Sequence, residues 1–278
     1  MRKCFSSILS VGVLVAAAAT VSAAPIAYEG FDMAIDAGVR INDTAGTGTG
    51  SAAWNAGQWG GNDGGFKKSN ATLSYGLLVT SPGRARTGAP TGQGNDQNFR
   101  TFGAQPASGQ YWVSIMMRIG SNNTSSSIGY SLFDGGNERN FVGKPGFVFW
   151  AATSGGGDAS ALGQVGTIMN FGGVPQNNEA FLLSLYDMSA GKQWHWVDPD
   201  ISNGQPSFAS SWNGTAGAGL NPFSFDRVRL GNFGDGDQSF MDEFRVGTTF
   251  GDVAPLIPEP AGLALLGLAA LPMLRRRA

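Results

Sequence analysis

Few residues in this chain could do nucleophilic or metal chemistry. It contains one histidine, His195, and one cysteine, Cys4. A zinc site built from Cys and His needs three or four such ligands, so this kind of site is excluded. No Gly-x-Ser-x-Gly segment accompanies His195 to supply the serine of a hydrolase triad. A Ser-His-Asp mechanism is therefore not expected.

Paired carboxylates are the next chemistry to consider, because glycan hydrolysis places one on each side of the scissile bond. Residues 24–257 hold only the glutamates Glu29, Glu138, Glu179 and Glu243. Asp242 and Glu243 are adjacent, so on a strand they would point to opposite faces. We expect one of them to cap a turn or to pair with Arg227, Arg229 or Arg245. No catalytic residue is assigned.

Tryptophan rings are candidates for sugar binding, because a flat aromatic face can stack on a pyranose ring. Trp194 and Trp196 flank His195 and would share one face of a strand, with His195 on the other. One or both could instead fill the core. Trp54, Trp59 and Trp212 lie in loop-like sequence rich in Gly and Asn, where exposure is expected.

A calcium site is a further candidate. Asp235, Gly236 and Asp237 precede Asp242, and Ca²⁺ binds several clustered oxygen ligands. The spacing does not match an EF-hand loop. The sequence therefore leaves two alternatives, a structural Ca²⁺ held by Asp235, Asp237 and Asp242, or a polar hairpin without metal.

The composition favours an all-β domain. Gly accounts for 43 of 278 residues, charged residues for 14% and aromatic residues for 11%. This much Gly disfavours a helical bundle, since each interior helix position would cost about 1 kcal/mol. Short apolar runs separated by Gly, Asn, Ser and Pro clusters predict an antiparallel β-sandwich or jelly roll.

Alternation along several segments predicts which faces are buried. Residues 111–119 should bury Tyr111, Val113, Ile115, Met117 and Ile119. Phe181, Leu183 and Leu185 form a second apolar face, and residues 147–150 read as a strand that is apolar on both sides. Near the end of the domain the spacing places Phe240, Asp242, Phe244 and Val246 on one face.

The charge balance argues against nucleic-acid binding. The two ends hold five of the 18 basic and one of the 20 acidic residues. The segment between them therefore carries 13 basic and 19 acidic residues, a formal net charge of −6. Phosphate contacts dominate the affinity of nucleic-acid binders, and an acidic domain without a basic cluster does not supply them.

The N-terminus has the pattern of a secretory signal peptide. Arg2 and Lys3 precede an apolar run from Phe5 to about Val21, and small residues follow it. We expect Sec-type export and cleavage by signal peptidase after Ala23, so that residues 1–23 are removed. An uncleaved anchor helix is the alternative.

The C-terminus combines Pro258, Glu259 and Pro260 with an apolar run, 261–274, and with Arg275, Arg276 and Arg277. Fourteen residues span about 21 Å as a helix, less than the roughly 30 Å core of a bilayer. The arginines would stay cytoplasmic, which places residues 24–257 outside. Transient membrane insertion or a plain C-terminal anchor both fit this pattern.

These 21 residues, 258–278, resemble the PEP-CTERM sorting signal of exported bacterial proteins. The resemblance implies recognition and cleavage near Pro258–Pro260 by an exosortase-type membrane enzyme. Such proteins are typical of bacteria that make extracellular polysaccharide. The expected location is the inner membrane in transit and then the cell surface or extracellular matrix.

Residues 24–257 resemble laminin-G and concanavalin-A-like sandwiches. Seven segments carry this resemblance, namely 27–32, 46–54, 111–114, 196–200, 225–230, 241–248 and 253–255. Their spread implies one passenger domain over 24–257. The Glu-x-Asp-x-x-Glu motif of laminarinase-like enzymes of this fold is absent.

Taken together, the sequence predicts an exported envelope or matrix protein whose passenger binds or structures extracellular polysaccharide without catalysis. The alternative is a glycan hydrolase or lyase of concanavalin-A-like fold, which would need a cleft with two carboxylates. A purely structural coat protein would show neither such a cleft nor exposed tryptophans.

Overall fold

A computed structural model describes residues 24–33, 41, 55–56, 66–87, 96–120, 127–144, 149–154, 169–173, 178–233 and 238–256. Within these ranges the chain forms sixteen strands, a 3-10 turn at Phe208–Ser210 and a one-turn helix, α1, at Phe250–Val253. The strands are β1 (Ala27–Glu29), β2 (Asn55–Ala56), β3 (Lys67–Ser69), β4 (Arg84–Arg86), β5 (Asp96–Gln105), β6 (Gln110–Arg118), β7 (Ser127–Asp134), β8 (Asn137–Glu138), β9 (Asn140–Lys144), β10 (Phe149–Ser154), β11 (Met169–Gly173), β12 (Glu179–Asp187), β13 (Lys192–Val197), β14 (Ala218–Gly219), β15 (Phe225–Phe233) and β16 (Phe240–Gly247).

The strands form two antiparallel sheets. Sheet I has the order β14-β13-β12-β6-β16-β4-β3, with β1 also paired to β16. Sheet II has the order β11-β10-β9-β7-β15-β5-β2, with β8 paired to β7. Several neighbours in these sheets, such as β6 and β16 or β7 and β15, are distant in sequence, so the topology cannot be a simple meander. The prediction of an all-β fold built from antiparallel sheets is confirmed.

The main core lies between the two sheets. On β6 the side chains of Tyr111, Val113, Ile115 and Met117 face inward and are buried, with Ile119 following them. Ile128, Tyr130 and Leu132 of β7 and Val228 and Leu230 of β15 complete the core from sheet II. The predicted face of residues 111–119 is thus confirmed. Each such side chain contributes about 1.5–3 kcal/mol by its burial.

A second apolar cluster covers the outer face of sheet I, and we call it the outer cluster. From the sheet it takes Trp112, Met116, Phe181, Leu183, Leu185, Trp196 and Phe240. From loops it takes Leu73, Leu78, Ile201 and Ala254, and from α1 it takes Val253. The predicted second face of Phe181, Leu183 and Leu185 is confirmed, and it is covered by chain rather than by solvent.

A β-bulge in β16 departs from the regular alternation. Asp242 pairs with Met116 and Arg245 pairs with Ser114, so two residues of β16 oppose Ile115. Glu243 has a positive φ of 52°. The bulge changes the phase of the strand, so that Phe244 and Val246 enter the main core whereas Phe240 joins the outer cluster. The predicted common face of these three residues with Asp242 is therefore wrong.

The same bulge turns polar groups toward the loop formed by residues 70–82. Asp242 Oδ2 accepts the Leu73 N–H at 2.9 Å, and Glu243 accepts the Ser81 N–H. Arg245 donates to Glu243 and to the Val79 carbonyl, the latter at 2.7 Å. The expected pairing of Glu243 with Arg245 is confirmed, although Asp242 and Glu243 do not point to opposite faces as a regular strand would require.

The C-terminal part of the domain packs beside this loop. The Ser114 hydroxyl donates to the Val253 carbonyl at 2.7 Å, and the Trp112 and Phe250 rings meet at 5.7 Å. Val79 N–H donates to the Pro255 carbonyl, and Leu78 pairs with Leu256. The described chain ends at this pairing.

The signal peptide and the sorting tail lie outside the described residues, as do Ala23, Pro258–Pro260 and Arg275–Arg277. Among the helices that the structure describes, none has the length and apolar character needed to cross a bilayer. The predicted strand at 147–150 is described only from Phe149 onward, where β10 begins.

Replacing Arg245 with Met should lower the free energy of unfolding by about 3–5 kcal/mol, because it leaves the buried Glu243 carboxyl without its cation. Burial already raises the pKa of Glu243, and Arg245 opposes this shift. Denaturant unfolding of the full chain measures the change.

Arg227→Met is the matched control. Arg227 pairs with Asp226 at 3.2 Å, but both side chains are about one-third exposed. We expect this variant to lose no more than about 1 kcal/mol. Equal losses for the two variants would contradict the role assigned to the bulge.

Candidate functional site

Strand β13 places its aromatic and polar residues on opposite sides of sheet I. Trp194 and Trp196 face outward and contact the outer cluster, whereas His195 faces the interior of the sandwich. The β12–β13 register brings His195 beside Ser184 and Trp196 beside Leu183. The predicted separation of His195 from the two tryptophans is confirmed.

The outward tryptophans are held by aromatic packing. The rings of Trp112 and Trp196 stack at 5.8 Å with 17° between their planes. Phe208 lies 5.0 Å from Trp194 and 6.1 Å from Trp196. Trp196 Nε1 donates to the Ser207 carbonyl at 3.2 Å. These contacts seat the 198–217 loop on the outer face of sheet I.

Asp198 ends the pairing of β13 with β12. Its N–H donates to the Phe181 carbonyl at 2.9 Å, and its Oδ1 accepts the Phe181 N–H at 2.7 Å. The residue has φ of 50°, which Asp adopts more readily than most residues. The surrounding protein withdraws solvent from its carboxyl and raises the pKa of Asp198, against the lowering effect of the Phe181 N–H.

Asp200 begins a tight turn. Its Oδ1 accepts the Ser202 hydroxyl at 2.6 Å and the Ser202 N–H at 3.0 Å. These hydrogen bonds, led by the one from the hydroxyl, lower the pKa of Asp200. Gly204 closes the turn with φ of 97°, where a side chain would be strained. The Asn203-Gly204 pair thus lies in a turn, as this dipeptide favours.

Tyr75 links this loop to the 70–82 loop. Its hydroxyl donates to the Pro199 carbonyl at 2.6 Å, and its ring stacks on Phe181 at 5.0 Å. Burial raises the pKa of Tyr75 above its usual value, and the negative charges of Asp198 and Asp200 raise it further. The charges of both carboxylates therefore favour the protonated form of the same Tyr75 hydroxyl.

Between β13 and its loop lies a surface cleft of about 420 Å³. Its lining combines polar side chains with apolar ones, among them the aromatic Trp196. The lining residues are Trp196, Val197, Asp198, Pro199, Asp200, Asn203, Gly204, Gln205, Pro206, Ser207 and Ser210. Carboxylates, amides and hydroxyls of this kind form hydrogen bonds with a hydroxyl-rich ligand.

The predicted tryptophans differ in how far solvent reaches them. Trp212 is 48% exposed, Trp194 is half-buried, and Trp196 is only 2% exposed although it lines the cleft. Trp212 follows Ser210 by two residues, and its N–H donates to the His195 carbonyl at 2.8 Å. Of the three, Trp212 offers the most aromatic surface to a ligand.

His195 belongs to a polar network inside the core. Its Nδ1 lies 2.8 Å from Ser184 Oγ and its Nε2 lies 3.1 Å from Gln193 Oε1, which assigns the proton to Nε2. Tyr130 donates to Ser184 at 3.1 Å. His195 is 1% exposed, and burial lowers its pKa to about 3. A substrate cannot reach this imidazole in the folded domain.

The four glutamates of residues 24–257 all have defined partners. Glu29 pairs with Arg100 at 2.7 Å, and Glu138 pairs with Arg229 at 2.5 Å. Glu243 pairs with Arg245. The exposed Glu179 accepts the Ser74 N–H at 3.0 Å. The first three are buried ion pairs, and the fourth anchors the 70–82 loop.

Asp242 lies in an environment unlike that of a calcium ligand. Both of its oxygens accept backbone N–H groups, and burial raises the pKa of its carboxyl to about 9. Asp235 and Asp237 lie outside the described residues. In the part of the chain that the structure describes, no three His, Cys, Asp or Glu side chains are arranged to hold a metal ion.

Trp54 and Trp59 also lie outside the described residues. In sequence they flank β2, which pairs with β5 in sheet II.

The cleft is also lined by residues that the sequence did not identify as ligand-binding residues, namely Asp198, Asp200, Asn203 and Gln205. An available signal was the Asp-Pro-Asp segment at the end of an aromatic strand, followed by an Asn-Gly turn.

No protein-family model matches this chain, and no curated protein matches it. Among solved structures, the CBM2 module of the evolved Dit of Lactobacillus casei BL23 phage J-1 covers 80% of this chain at 9% identity, with a TM-score of 0.46. The chain covers 95% of that module. The globular domain of T. cruzi calreticulin has the same TM-score and identity, with 80% of this chain and 90% of that one covered.

The binding domain of botulinum neurotoxin serotype D covers 83% of this chain at 10% identity, with a TM-score of 0.44. The chain spans about half of that domain, 49% of its length.

Replacing His195 with Gln should flatten the acid dependence of stability. The pKa of His195 is about 3 in the folded chain, below its usual value of 6.5. Between these two pH values the unfolded chain binds a proton that the folded chain does not bind. The stabilisation from the neutral imidazole is complete above pH 6.5 and is lost as the pH falls toward 3, by about 1.4 kcal/mol per unit.

The chain has no other histidine, so the wild-type and His195→Gln difference isolates this contribution. Denaturant midpoints measured at several pH values give the two slopes. Parallel slopes from pH 6.5 downward would contradict the buried, neutral assignment.

Proposed function

We propose that this protein is an exported envelope or matrix protein that binds extracellular polysaccharide. The observation that carries the proposal is the cleft beside β13, lined by Asp198, Asp200, Asn203 and Gln205, with the exposed Trp212 on the same loop. The passenger is proposed to be a concanavalin-A-like sandwich. Two antiparallel sheets packed around one core support this assignment.

The physical character of the cleft suits a sugar better than an apolar ligand. Its side-chain amides, hydroxyls and carboxylates match the many hydroxyl groups of a glycan. The aromatic ring of Trp212 can cover the apolar face of one pyranose.

A binding role is favoured over catalysis because the glutamates are already engaged. Three are in buried ion pairs and the fourth holds the 70–82 loop. A glycosidase needs carboxyl groups that face the substrate. No glutamate lines the cleft, as far as the described residues extend.

A glycan hydrolase or lyase is the second candidate, and one observation favours it. The environments of Asp198 and Asp200 shift their pKa values in opposite directions, upward and downward. Such a pair is the arrangement from which an acid and a base or nucleophile are built. In this candidate Asp198 is the acid and Asp200 the base.

The terminal segments supply the proposed export and sorting. Signal peptidase would remove residues 1–23, and an exosortase-type enzyme would process the tail at Pro258–Pro260. The position of Leu256 supports this boundary, because its pairing with Leu78 holds the chain to the domain two residues before Pro258. The Arg275–Arg277 cluster would halt translocation after transient membrane insertion.

The first experiment combines the full chain with a panel of soluble polysaccharides and follows binding and released sugar ends in parallel. Trp212→Ala should weaken binding about tenfold, equivalent to roughly 1.4 kcal/mol, because it removes the exposed ring. Val79→Ala is the matched control, since Val79 is also large, apolar and exposed but lies on the other loop.

Binding without released ends supports the non-catalytic proposal. Released ends that disappear in both Asp198→Asn and Asp200→Asn would replace it with the hydrolase or lyase. Neither binding nor release across the panel would favour a structural coat protein. Equal weakening by Trp212→Ala and Val79→Ala would remove Trp212 from the site.

Sorting is tested by replacing Arg275, Arg276 and Arg277 with Gln in the producing cell. We expect the variant to accumulate unprocessed, because the basic stop to translocation is lost. Immunoblotting of membrane, surface and medium fractions shows the change. Unaltered processing and location would contradict the assignment of the tail.

A further inference from the structure

The cleft beside β13 carries negative charge on a wall that holds no opposing cation. Asp198 and Asp200 are its two ionisable residues, and its other polar side chains are neutral amides and hydroxyls. No Lys or Arg lines the part of the cleft that the structure describes. The formal net charge of −6 over residues 24–257 adds to this field.

Each aspartate uses one oxygen to hold the loop. Asp198 Oδ1 caps the Phe181 N–H, and Asp200 Oδ1 accepts both hydrogen bonds from Ser202. The second oxygen of each carboxylate has no hydrogen-bond partner among the described residues. The turn is therefore complete while two acceptors remain for a ligand.

The two carboxylates act on the same region. The charge of each carboxylate raises the pKa of Tyr75. The Tyr75 hydroxyl donates a hydrogen bond to the carbonyl of Pro199, the residue between the two aspartates. Pro199 restricts the backbone that separates them. A cationic group entering the cleft would meet both charges in a preorganised arrangement rather than one flexible side chain.

We propose that the cleft selects a polysaccharide bearing protonated amino groups, such as a de-N-acetylated hexosamine polymer, over neutral glycans and over polyuronates. This inference rests on the proposed glycan-binding function. An ammonium group supplies three N–H donors and forms charge-assisted hydrogen bonds with carboxylates. A uronate carboxylate at the same place would be repelled and would find no cationic partner.

The test compares three oligosaccharides of equal length on the full chain by calorimetry. These probes are a β-1,4-glucosamine oligomer, its fully N-acetylated counterpart and an oligouronate, at a pH below the pKa of the amine. We expect the glucosamine oligomer to bind about tenfold more tightly than the N-acetylated one, a difference of roughly 1.4 kcal/mol. Its advantage should shrink as salt is added.

Two variants assign that preference to the cleft. Asp198→Asn and Asp200→Asn remove one charge each but keep an oxygen for the Phe181 and Ser202 donors. Asn also tolerates the positive φ at position 198. In both variants the glucosamine oligomer should lose its advantage over the N-acetylated oligomer, with the two affinities measured on the same variant.

Asp187→Asn is the matched control. Asp187 Oδ1 likewise caps a backbone N–H, that of Ala190, but at the opposite end of β12. The Asp187→Asn substitution removes the same net charge but leaves the cleft unchanged, so the preference for the glucosamine oligomer should be retained. A preference lost equally in all three variants would show a general charge effect and overturn the assignment.

The outcomes separate this inference from the proposed function. If the three oligomers bind with equal affinity and Trp212→Ala weakens this binding, the amino-sugar selection is overturned and the proposed glycan binding is kept. Tighter binding of the oligouronate also overturns the selection. Binding of none of these oligomers and of no polysaccharide in the panel overturns both proposals.

Discussion

The bulge in β16 is the constraint on which the outer half of this domain depends. One extra residue, held at a positive φ, turns Asp242, Glu243 and Arg245 toward the same side of sheet I. Together they bind the backbone of the 70–82 loop at three points. Burying these polar groups is costly, and the cost is offset only while the loop supplies their hydrogen-bond partners.

The cleft beside β13 is connected to that anchored loop through Pro199. Tyr75, carried by the 70–82 loop, stacks on Phe181 and holds Pro199 through its hydroxyl. On the other side Trp196 and Phe208 seat the 198–217 loop on the outer cluster. The cleft is thus a gap in a well-packed covering layer, supported by a sheet whose other face forms the main core.

The alternation of β13 separates two kinds of polar chemistry. His195 turns inward to a network with Ser184 and Gln193, where burial keeps it neutral. Asp198 and Asp200, just beyond the strand, remain at the surface and bear the charge of the cleft. The histidine therefore belongs to the core, whereas the two carboxylates lie where solvent can reach them.

Local pattern in the sequence was sufficient for the regular part of the fold. The period-2 burial of residues 111–119, the second face of Phe181, Leu183 and Leu185, and the turn at Asn203-Gly204 all follow from rules that act over a few residues. The division of Trp194 and Trp196 from His195 has the same origin.

Only the tertiary structure decided the faces of Asp242 and Glu243 and the position of the cleft. A bulge shifts the phase of every later residue on its strand, and nothing in the local pattern of β16 marks it. Tyr75 and Pro199 are 124 positions apart and meet because both loops cover the same cluster. Contacts of that range depend on how sheets pack, which short-range periodicity does not encode.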